Sequence, residues 1–263
     1  MSNQKITAIV FIVLTILLAS AVIIGVWRAD AAPEPIPDDI AQTPEPAEPT
    51  SAPEPTETPA PDIPDEEKTY IDRLIFIGDS TTYGLKYYGV LSGGRATTQV
   101  WTPSSGTLAL FNQSFATIVY PETGAEIPIT DAVADAQPEY IVLTIGVNGV
   151  SMMKEESFKA DYTDLVKRIQ SVSPDTKIIC NSIYPVESKY EKAGHGITNA
   201  KINAANGWIK NIAADTGTFF TDSASVLKGD DGCLVPEYGN GDGLHLSPKG
   251  FELVLDYLRE HEV

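Results

Sequence analysis

One stretch decides the fold of this 263-residue chain: Leu74-Ile75-Phe76-Ile77-Gly78-Asp79-Ser80. Four large apolar residues in a row predict a buried strand, and the Gly-Asp-Ser that follows predicts a polar turn at its carboxyl end. Similar apolar runs at Tyr140–Ile145, Lys177–Ile183 and Thr218–Phe220 predict further buried strands, with a weaker candidate at Thr97–Trp101.

Helical periodicity fills the intervals between these runs. Apolar residues recur on one face of the segment 158–169 and again on one face of the segment 202–213. A last helix is predicted to begin with Ser247 as its N-cap and Pro248 in its first turn. Strands that alternate with helices form right-handed crossovers and a parallel sheet covered on both faces. We therefore predict an α/β fold for residues 70–263, a three-layer α/β/α sandwich with a mainly parallel central sheet.

The segment 117–129 departs from this alternation. Its pattern predicts a hairpin that turns near Glu122–Gly124. We expect it to decorate the sheet, either as a plain insertion or as a wall of the substrate site.

Two polar turns are predicted to open onto the same edge of the sheet. Gly78-Asp79-Ser80 ends the first strand, and Gly146-Val147-Asn148 ends the strand that begins at Tyr140. Ligands of such sheets bind outside the carboxyl ends of the strands, where the strand order reverses. We expect the functional site at this edge.

A serine there needs a base before it can act as a nucleophile, and the base needs a third group to fix its tautomer. The chain has three histidines. His261 lies in the last residues and His195 in a glycine-flanked loop, whereas His245 follows Asp242 in the turn Asp242-Gly-Leu-His245. An aspartate and a histidine three residues apart in a turn project to the same side. The sequence therefore predicts Ser80, His245 and Asp242 as a catalytic triad.

The N-terminal region is predicted to anchor the chain. Residues 6–27 are apolar and uncharged, and 22 residues are long enough for the ~30 Å core of a bilayer. The alternative is a signal peptide cleaved after the small-x-small sequence Ala29-Asp30-Ala31. Lys5 and the terminal amine place residues 1–5 in the cytoplasm. We expect a single-pass protein of the cell membrane with its catalytic domain on the extracytoplasmic side.

Residues 28–69 are predicted to form a disordered linker. Between Pro33 and Pro64 the chain has eleven prolines and eight acidic residues but no Lys or Arg, so this segment cannot build an apolar core. A stiff, extended spacer is the expected role, and a proline-motif ligand is the alternative.

Charge and cysteine usage exclude some classes of function. The net charge of −18 is too acidic for nucleic-acid binding, which requires a basic surface. Two cysteines, Cys180 and Cys233, are too few for a disulfide framework, and whether they pair is left open. Neither a CxxC motif nor a histidine cluster indicates a metal, and no cofactor is predicted.

Taken together, these motifs resemble those of the GDSL/SGNH-family hydrolases, and the similarity spans about Tyr70 to Val263. The first family motif matches Gly78-Asp79-Ser80, with Thr81 where the family usually has leucine. The third matches Gly146-Val147-Asn148, and the last matches Asp242-Gly-Leu-His245. The second motif is little more than a glycine, for which Gly106 is the candidate.

The resemblance implies a flavodoxin-like sheet and a role for each matched residue. Ser80 would be the nucleophile, His245 the general base and then acid, and Asp242 the group that orients His245. The backbone N–H groups of Ser80 and Gly106 and the side-chain amide of Asn148 would form the oxyanion hole, while Asp79 would be a structural turn residue. One departure is Gly149, where the family commonly has aspartate. Loss of that carboxylate either loosens the turn carrying Asn148 or marks a subgroup.

The function expected on this basis is that of an extracytoplasmic serine esterase. It would hydrolyse carboxylic esters of short acyl groups, such as O-acetyl groups on carbohydrate of the cell envelope, through an acyl-serine intermediate. An O-acetyltransferase using the same triad is one alternative. A non-catalytic surface-binding module on the same scaffold is another.

Overall fold

The computed structural model describes residues 68–263. The predicted cytoplasmic N-terminus (1–5), the membrane anchor or uncleaved signal (6–27) and all but the last two residues of the linker (28–69) lie outside the described residues. Within the described range, every helix is too short or too polar to cross a bilayer.

Strands and helices alternate along most of the described chain. The strands are β1 (Leu74–Gly78), β2 (Val100–Trp101), β3 (Thr117–Val119), β4 (Glu126–Pro128), β5 (Tyr140–Thr144), β6 (Lys177–Asn181) and β7 (Phe219–Thr221). The helices are α1 (Ser80–Tyr88), α2 (Ile129–Ala136), α3 (Glu155–Val172), α4 (Ser188–Lys192), α5 (Asn199–Thr216) and α6 (Pro248–Glu260). Each strand predicted from an apolar run is confirmed, including the weaker candidate that became β2.

Five strands form a parallel sheet in the order β2-β1-β5-β6-β7. After β1 the chain first adds β2 on one side and then crosses to add β5 on the other. The strand order therefore reverses between β1 and β5, as in flavodoxin-like sheets. The carboxyl ends of these two strands carry the turns 78–80 and 146–148, so the site predicted there sits at the reversal.

Each face of the sheet has its own apolar core, because successive residues of a strand point to opposite faces. Ile77 and its neighbour in register, Leu143, are buried in a cluster with residues of α2, α3 and α5. Phe76 and its neighbour Val142 are buried in a second cluster, with residues of α1 and α6. The predicted three layers are thus present, and both faces of the sheet are covered.

Local sequence sets the ends of the longer helices. Ser247 Oγ accepts the N–H of Gly250 at 3.3 Å, and Pro248 stands at the first helical position, so α6 begins as predicted. The helix α5 begins at the Thr198 cap and ends at Gly217, whose φ of 66° is most favourable for glycine.

The hairpin predicted for 117–129 is confirmed as a separate two-stranded sheet. β3 and β4 pair antiparallel, with Ile118 opposite Ile127. Ile118 is fully buried in the core cluster, which anchors the hairpin to the domain.

Two helical glycines give a matched test of the packing between α1 and α6. A Cβ built on Gly84 in α1 would lie 2.5 Å from the Phe251 ring, whereas one built on Gly207 in α5 would meet open space. We predict that Gly84→Ala lowers the free energy of unfolding by about 1–3 kcal/mol, because the overpacking outweighs the gain in helix propensity. Gly207→Ala should raise it by about 0.5–1 kcal/mol. Urea denaturation of both variants measures this, and a stabilised Gly84→Ala protein would show that the two helices are not in close contact.

Candidate active site

The first turn of the site leaves no room for a side chain. A Cβ built on Gly78 would lie 2.1 Å from Thr82 Oγ1 and 2.2 Å from the carbonyl oxygen of Thr144. Glycine therefore lets β1 pass close to β5, and Thr82 Oγ1 donates to that same Thr144 oxygen at 3.2 Å. The chain then turns through Asp79, which caps α1, and places Ser80 at the first position of the helix.

The structure brings Ser80, His245 and Asp242 into one hydrogen-bonded row. Ser80 Oγ lies 2.9 Å from His245 Nε2, and His245 Nδ1 lies 2.7 Å from Asp242 Oδ2. An ionised Asp242 accepts from the N–H at Nδ1, which leaves the lone pair of Nε2 to accept the serine hydrogen. The arrangement can raise the nucleophilicity of Ser80.

The carboxylate of Asp242 is held by more than the histidine ring. Its Oδ1 accepts the backbone N–H of Leu244 at 2.7 Å and that of His245 at 2.9 Å. Partial burial raises the pKa of Asp242, but the hydrogen bonds from His245 and Leu244 outweigh it and lower the pKa to about 2. The carboxylate is therefore ionised and fixed in direction at neutral pH.

The loop that carries Asp242 is braced from outside by the segment around α4. The N–H of Glu187 donates to the carbonyl of Gly243 at 2.8 Å, and Lys189 Nζ donates to the carbonyl of Gly241 at 2.7 Å. The sequence did not predict these contacts, since backbone carbonyls that accept from a distant segment leave no sequence signal. These contacts limit the movement of the loop, and so they help to keep His245 within reach of Ser80.

Asn148 lies in a turn closed by the backbone. The N–H of Gly149 and that of Val150 both donate to the carbonyl of Gly146, at 2.8 and 3.1 Å. Gly149 therefore does not need a carboxylate to close this turn, and Met153 Sδ would lie 2.7 Å from a Cβ at that position. Asn148 Nδ2 donates to the carbonyl of Leu108 at 3.2 Å, which uses one of its two amide hydrogens and leaves the other.

Gly106 differs from the other predicted oxyanion donors because its N–H already has a hydrogen-bond acceptor. Its N–H donates to the carbonyl of Pro103 at 2.8 Å, so its only amide hydrogen closes a turn in this conformation. The glycine has a φ of 68°, and a Cβ built on it would lie 3.6 Å from Cγ of Tyr83, one helical turn after Ser80. The structure thus places Gly106 beside α1 but with its donor engaged.

Asp79 is the second carboxyl at the site, and it is fully buried. Its Oδ1 accepts hydrogen bonds from the N–H of Thr81 at 3.0 Å and from the Thr81 hydroxyl at 2.7 Å. Thr81, which stands where the family usually has leucine, therefore stabilises this turn. The Oδ2 of Asp79 makes no hydrogen bond within the described part of the chain. Burial raises the pKa of Asp79 to about 6, although the hydrogen bonds from Thr81 lower it.

The remaining histidines and the cysteines make no hydrogen bond to this row within the described part of the chain. His195 contacts Tyr190, with ring centroids 4.6 Å apart and ring planes tilted by 37°, whereas His261 stacks on Tyr257 at 3.9 Å. Cys180 and Cys233 are unpaired thiols, which settles the pairing left open by the sequence.

A groove of about 820 Å³ lies elsewhere on the domain, and its lining includes Arg73, Gln99 and Glu139. Arg73 and Glu139 directly precede β1 and β5, so this groove is at the amino ends of the strands. None of the three residues of the hydrogen-bonded row lines it. It is therefore not the place where Ser80 would meet a substrate.

Comparison with known proteins gives one family and several similar folds. The model of the GDSL-like lipase/acylhydrolase family matches residues 76–253, more than half of the chain. No curated protein matches the chain.

Solved structures with the same fold are distant in sequence. A protein of Streptococcus pneumonia, provisionally named a platelet activating factor, is 21% identical with a TM-score of 0.53 over 72% of this chain and 83% of its own. A GDSL-like lipase from Bacteroides thetaiotaomicron is 15% identical with a TM-score of 0.52 over 74% and 89%. An acetyl xylan esterase is 18% identical with a TM-score of 0.52 over 72% and 99%. At these identities the likeness concerns the fold.

The raised pKa of Asp79 predicts how the stability depends on pH. Because this pKa of about 6 is above the 3.8 of an ordinary aspartate, the folded state holds the proton more tightly. Ionisation of this carboxyl therefore destabilises the folded state. The destabilisation grows from about pH 4 to about pH 6 and is constant above that. We predict that Asp79→Asn gains stability relative to wild type as the pH rises. The difference between their free energies of unfolding should increase by on the order of 3 kcal/mol from about pH 4 to pH 7. Urea denaturation across this range measures the difference, and a difference that does not vary with pH would contradict the prediction.

Proposed function

The chain belongs to the GDSL-like lipase/acylhydrolase family, and we propose that it hydrolyses short-chain carboxylic esters, with O-acetyl groups on carbohydrate as its substrate. That it is an SGNH-type enzyme acting on ester bonds follows from the family. The observation that carries the proposed mechanism is the row Ser80 Oγ, His245 Nε2 and Nδ1, Asp242 Oδ2, with separations of 2.9 and 2.7 Å.

In the proposed first step, Ser80 Oγ attacks the carbonyl carbon of the ester while its hydrogen passes to His245 Nε2. The carbonyl π electrons move onto oxygen, and the imidazolium that forms is stabilised by the ionised Asp242. When the tetrahedral intermediate collapses, the bond to the alcohol oxygen breaks and His245 returns the proton to that oxygen. Water then repeats the sequence on the acyl-serine and releases the carboxylic acid.

The oxyanion of this intermediate would be bound by the Ser80 N–H, the Asn148 amide and the Gly106 N–H. The first N–H groups of a helix have no intrahelical acceptor, and the free hydrogen of Asn148 is available. Gly106 could take part only if its hydrogen bond to Pro103 is shared or broken. Ser80 and Asn148 are therefore the better-supported donors.

The exposure of the site supports a substrate that carries its ester on a bulky, polar alcohol. The side chain of Asp242 is 45% exposed and that of His245 is 32% exposed, so a polymer can approach without a long tunnel. The acetyl xylan esterase of the same fold acts on an ester of this type, as its name states. An O-acetyl group on carbohydrate fits both points.

For the whole protein we propose a single-pass protein of the cell membrane, anchored by residues 6–27, with the domain 70–263 on the extracytoplasmic side. The support is the uncharged apolar stretch and the flanking Lys5. Cell fractionation of the full-length chain tests this, and a soluble product that begins at Ala32 would instead show cleavage of a signal peptide.

We predict that a fluorophosphonate probe labels the full-length protein at Ser80 alone, as read by peptide mass spectrometry. His245→Ala and Asp242→Ala should each slow ester turnover almost as severely as the double change, because the three groups act as a unit. His261→Ala, remote from Ser80, is the control that keeps labelling. Undiminished labelling of a folded His245→Ala protein would overturn the triad. A folded wild-type protein that shows no labelling and no ester turnover would favour the binding module instead.

We also predict that Asn148→Ala lowers kcat by roughly 10²-fold with a smaller change in KM, because the amide matters most when the oxyanion forms. Asn203→Ala is a matched control, since Asn203 lies on α5 and contacts Lys228 at 2.9 Å. Steady-state kinetics on p-nitrophenyl acetate measure both. A wild-type kcat in purified Asn148→Ala would remove Asn148 from the oxyanion hole.

A further inference from the structure

The helix that begins at Ser80 exposes aromatic side chains on the same face as the serine. Tyr83 and Tyr87 are 39% and 53% exposed. They follow Ser80 by three and seven positions, which places them within about 60° and about 20° of it around a helix of 3.6 residues per turn. The opposite face, with Thr81, Thr82 and Leu85, is buried.

Such a surface is unusual for a helix that merely faces water. Solvent-exposed helix positions are normally polar or charged, and Lys86 is the only charged residue of α1. Exposed apolar residues that gather in one place mark binding sites more often than single scattered ones do. Two further exposed apolar residues, Phe111 and Met152, follow Gly106 and Asn148 within five positions in the sequence.

Contacts place the two tyrosines beside the site. Gly106 lies against Tyr83, with 3.6 Å from a Cβ built on the glycine to Cγ of the ring. The rings of Tyr83 and Tyr87 have centroids 6.5 Å apart and are tilted by 42°. The guanidinium of Arg95 lies 5.6 Å from the Tyr87 ring centroid, a cation–π contact that helps to hold this ring.

We propose that Tyr83 and Tyr87 form an aromatic platform that binds a pyranose ring of the substrate, next to the ring whose ester is attacked by Ser80. This inference rests on the proposed function and names the residues that would select carbohydrate. An aromatic face packs against the C–H face of a sugar ring without enclosing it. A flexible acyl chain gains less there, because a convex helix surface removes little of it from water.

The first experiment compares two esters in the full-length protein. The quantity measured is the ratio of kcat/KM for acetylated xylohexaose to kcat/KM for p-nitrophenyl acetate. Tyr83→Ala and Tyr87→Ala should each lower this ratio by about fivefold to tenfold, mainly through KM for the hexamer. Tyr87→Phe keeps the ring and should keep most of the ratio. Phe219→Ala is the matched control, since Phe219 is also 39% exposed but lies at the amino end of β7.

The second experiment measures binding without chemistry. The Ser80→Ala protein is titrated calorimetrically with β-1,4-linked hexamers of xylose, glucose and N-acetylglucosamine. We expect at least one to bind, and its Kd to rise about fivefold or more when Tyr83→Ala or Tyr87→Ala is added. Unaltered Kd values and ratios in both tyrosine variants would overturn the platform, as would a failure of all three hexamers to bind.

The two experiments separate this proposal from the proposed function. If the wild type cleaves p-nitrophenyl acetate but not acetylated xylohexaose, the substrate proposal fails for xylan, while tyrosine-dependent binding of a hexamer still supports the platform. If acetylated xylohexaose is cleaved equally well by wild type and both tyrosine variants, the function stands and the platform falls. Should Tyr83→Ala fail to fold, as seen by circular dichroism, the more exposed Tyr87 variants decide the outcome.

Discussion

The hydrogen bond between Ser80 Oγ and His245 Nε2 is the interaction on which the rest of the site depends. It joins residues 165 positions apart, so each end must be held by a different part of the fold. Ser80 is fixed because Gly78 lets β1 approach β5 closely and Asp79 starts α1 at once. His245 is fixed because Asp242 binds both its ring and its backbone N–H, and because the α4 segment holds the carbonyl groups of Gly241 and Gly243. The parallel sheet supplies the rigid edge between them.

Two aspartates near one serine behave in opposite ways, and their surroundings explain why. Asp242 is partly exposed and accepts three hydrogen bonds from Leu244 and His245, which lowers its pKa to about 2. Asp79 is completely buried, and the desolvation of its carboxylate raises its pKa to about 6 although the hydrogen bonds from Thr81 lower it. Desolvation dominates where water is excluded, and hydrogen bonds dominate where it is not. The first carboxyl can stabilise a cation on His245, while the second shapes the turn and destabilises the fold at neutral pH.

The site is a surface edge with exposed aromatic rings alongside it. This arrangement is compatible with the substrate that we propose, whose alcohol part is large and rigid and whose acyl part is small. Small acyl groups offer little apolar area to bind, so selectivity has to come from the alcohol side. In the proposed function, the face of α1 that carries Ser80, Tyr83 and Tyr87 would combine the nucleophile and such a contact surface in one nine-residue helix.

The sequence by itself determined the elements with strong local signals. The apolar runs predicted every strand of the parallel sheet, the long periodic segments predicted α3 and α5, and Ser247-Pro248 predicted the start of α6. The shorter α1, α2 and α4 were not predicted, because five to nine residues are too few for a helical period to appear above chance. The sequence also predicted Ser80, Asp242 and His245 as a triad. A turn fixes the relation of Asp242 to His245 locally, and the structure brings both residues into one hydrogen-bonded row with Ser80.

Only the tertiary structure decided how distant segments meet. The strand order, the contact of Asn148 with Leu108 and the bracing of the Asp242 loop by Glu187 and Lys189 all join residues 24 or more positions apart. The separation of Cys180 from Cys233 likewise depends on how distant segments pack. The engagement of the Gly106 N–H by Pro103 is close in sequence, yet it too depends on a backbone conformation that residue types alone leave open. Local propensity and hydrophobic pattern determine which elements form. Packing and backbone hydrogen bonds, which carry no residue-specific signature, determine where they lie and which donors stay free.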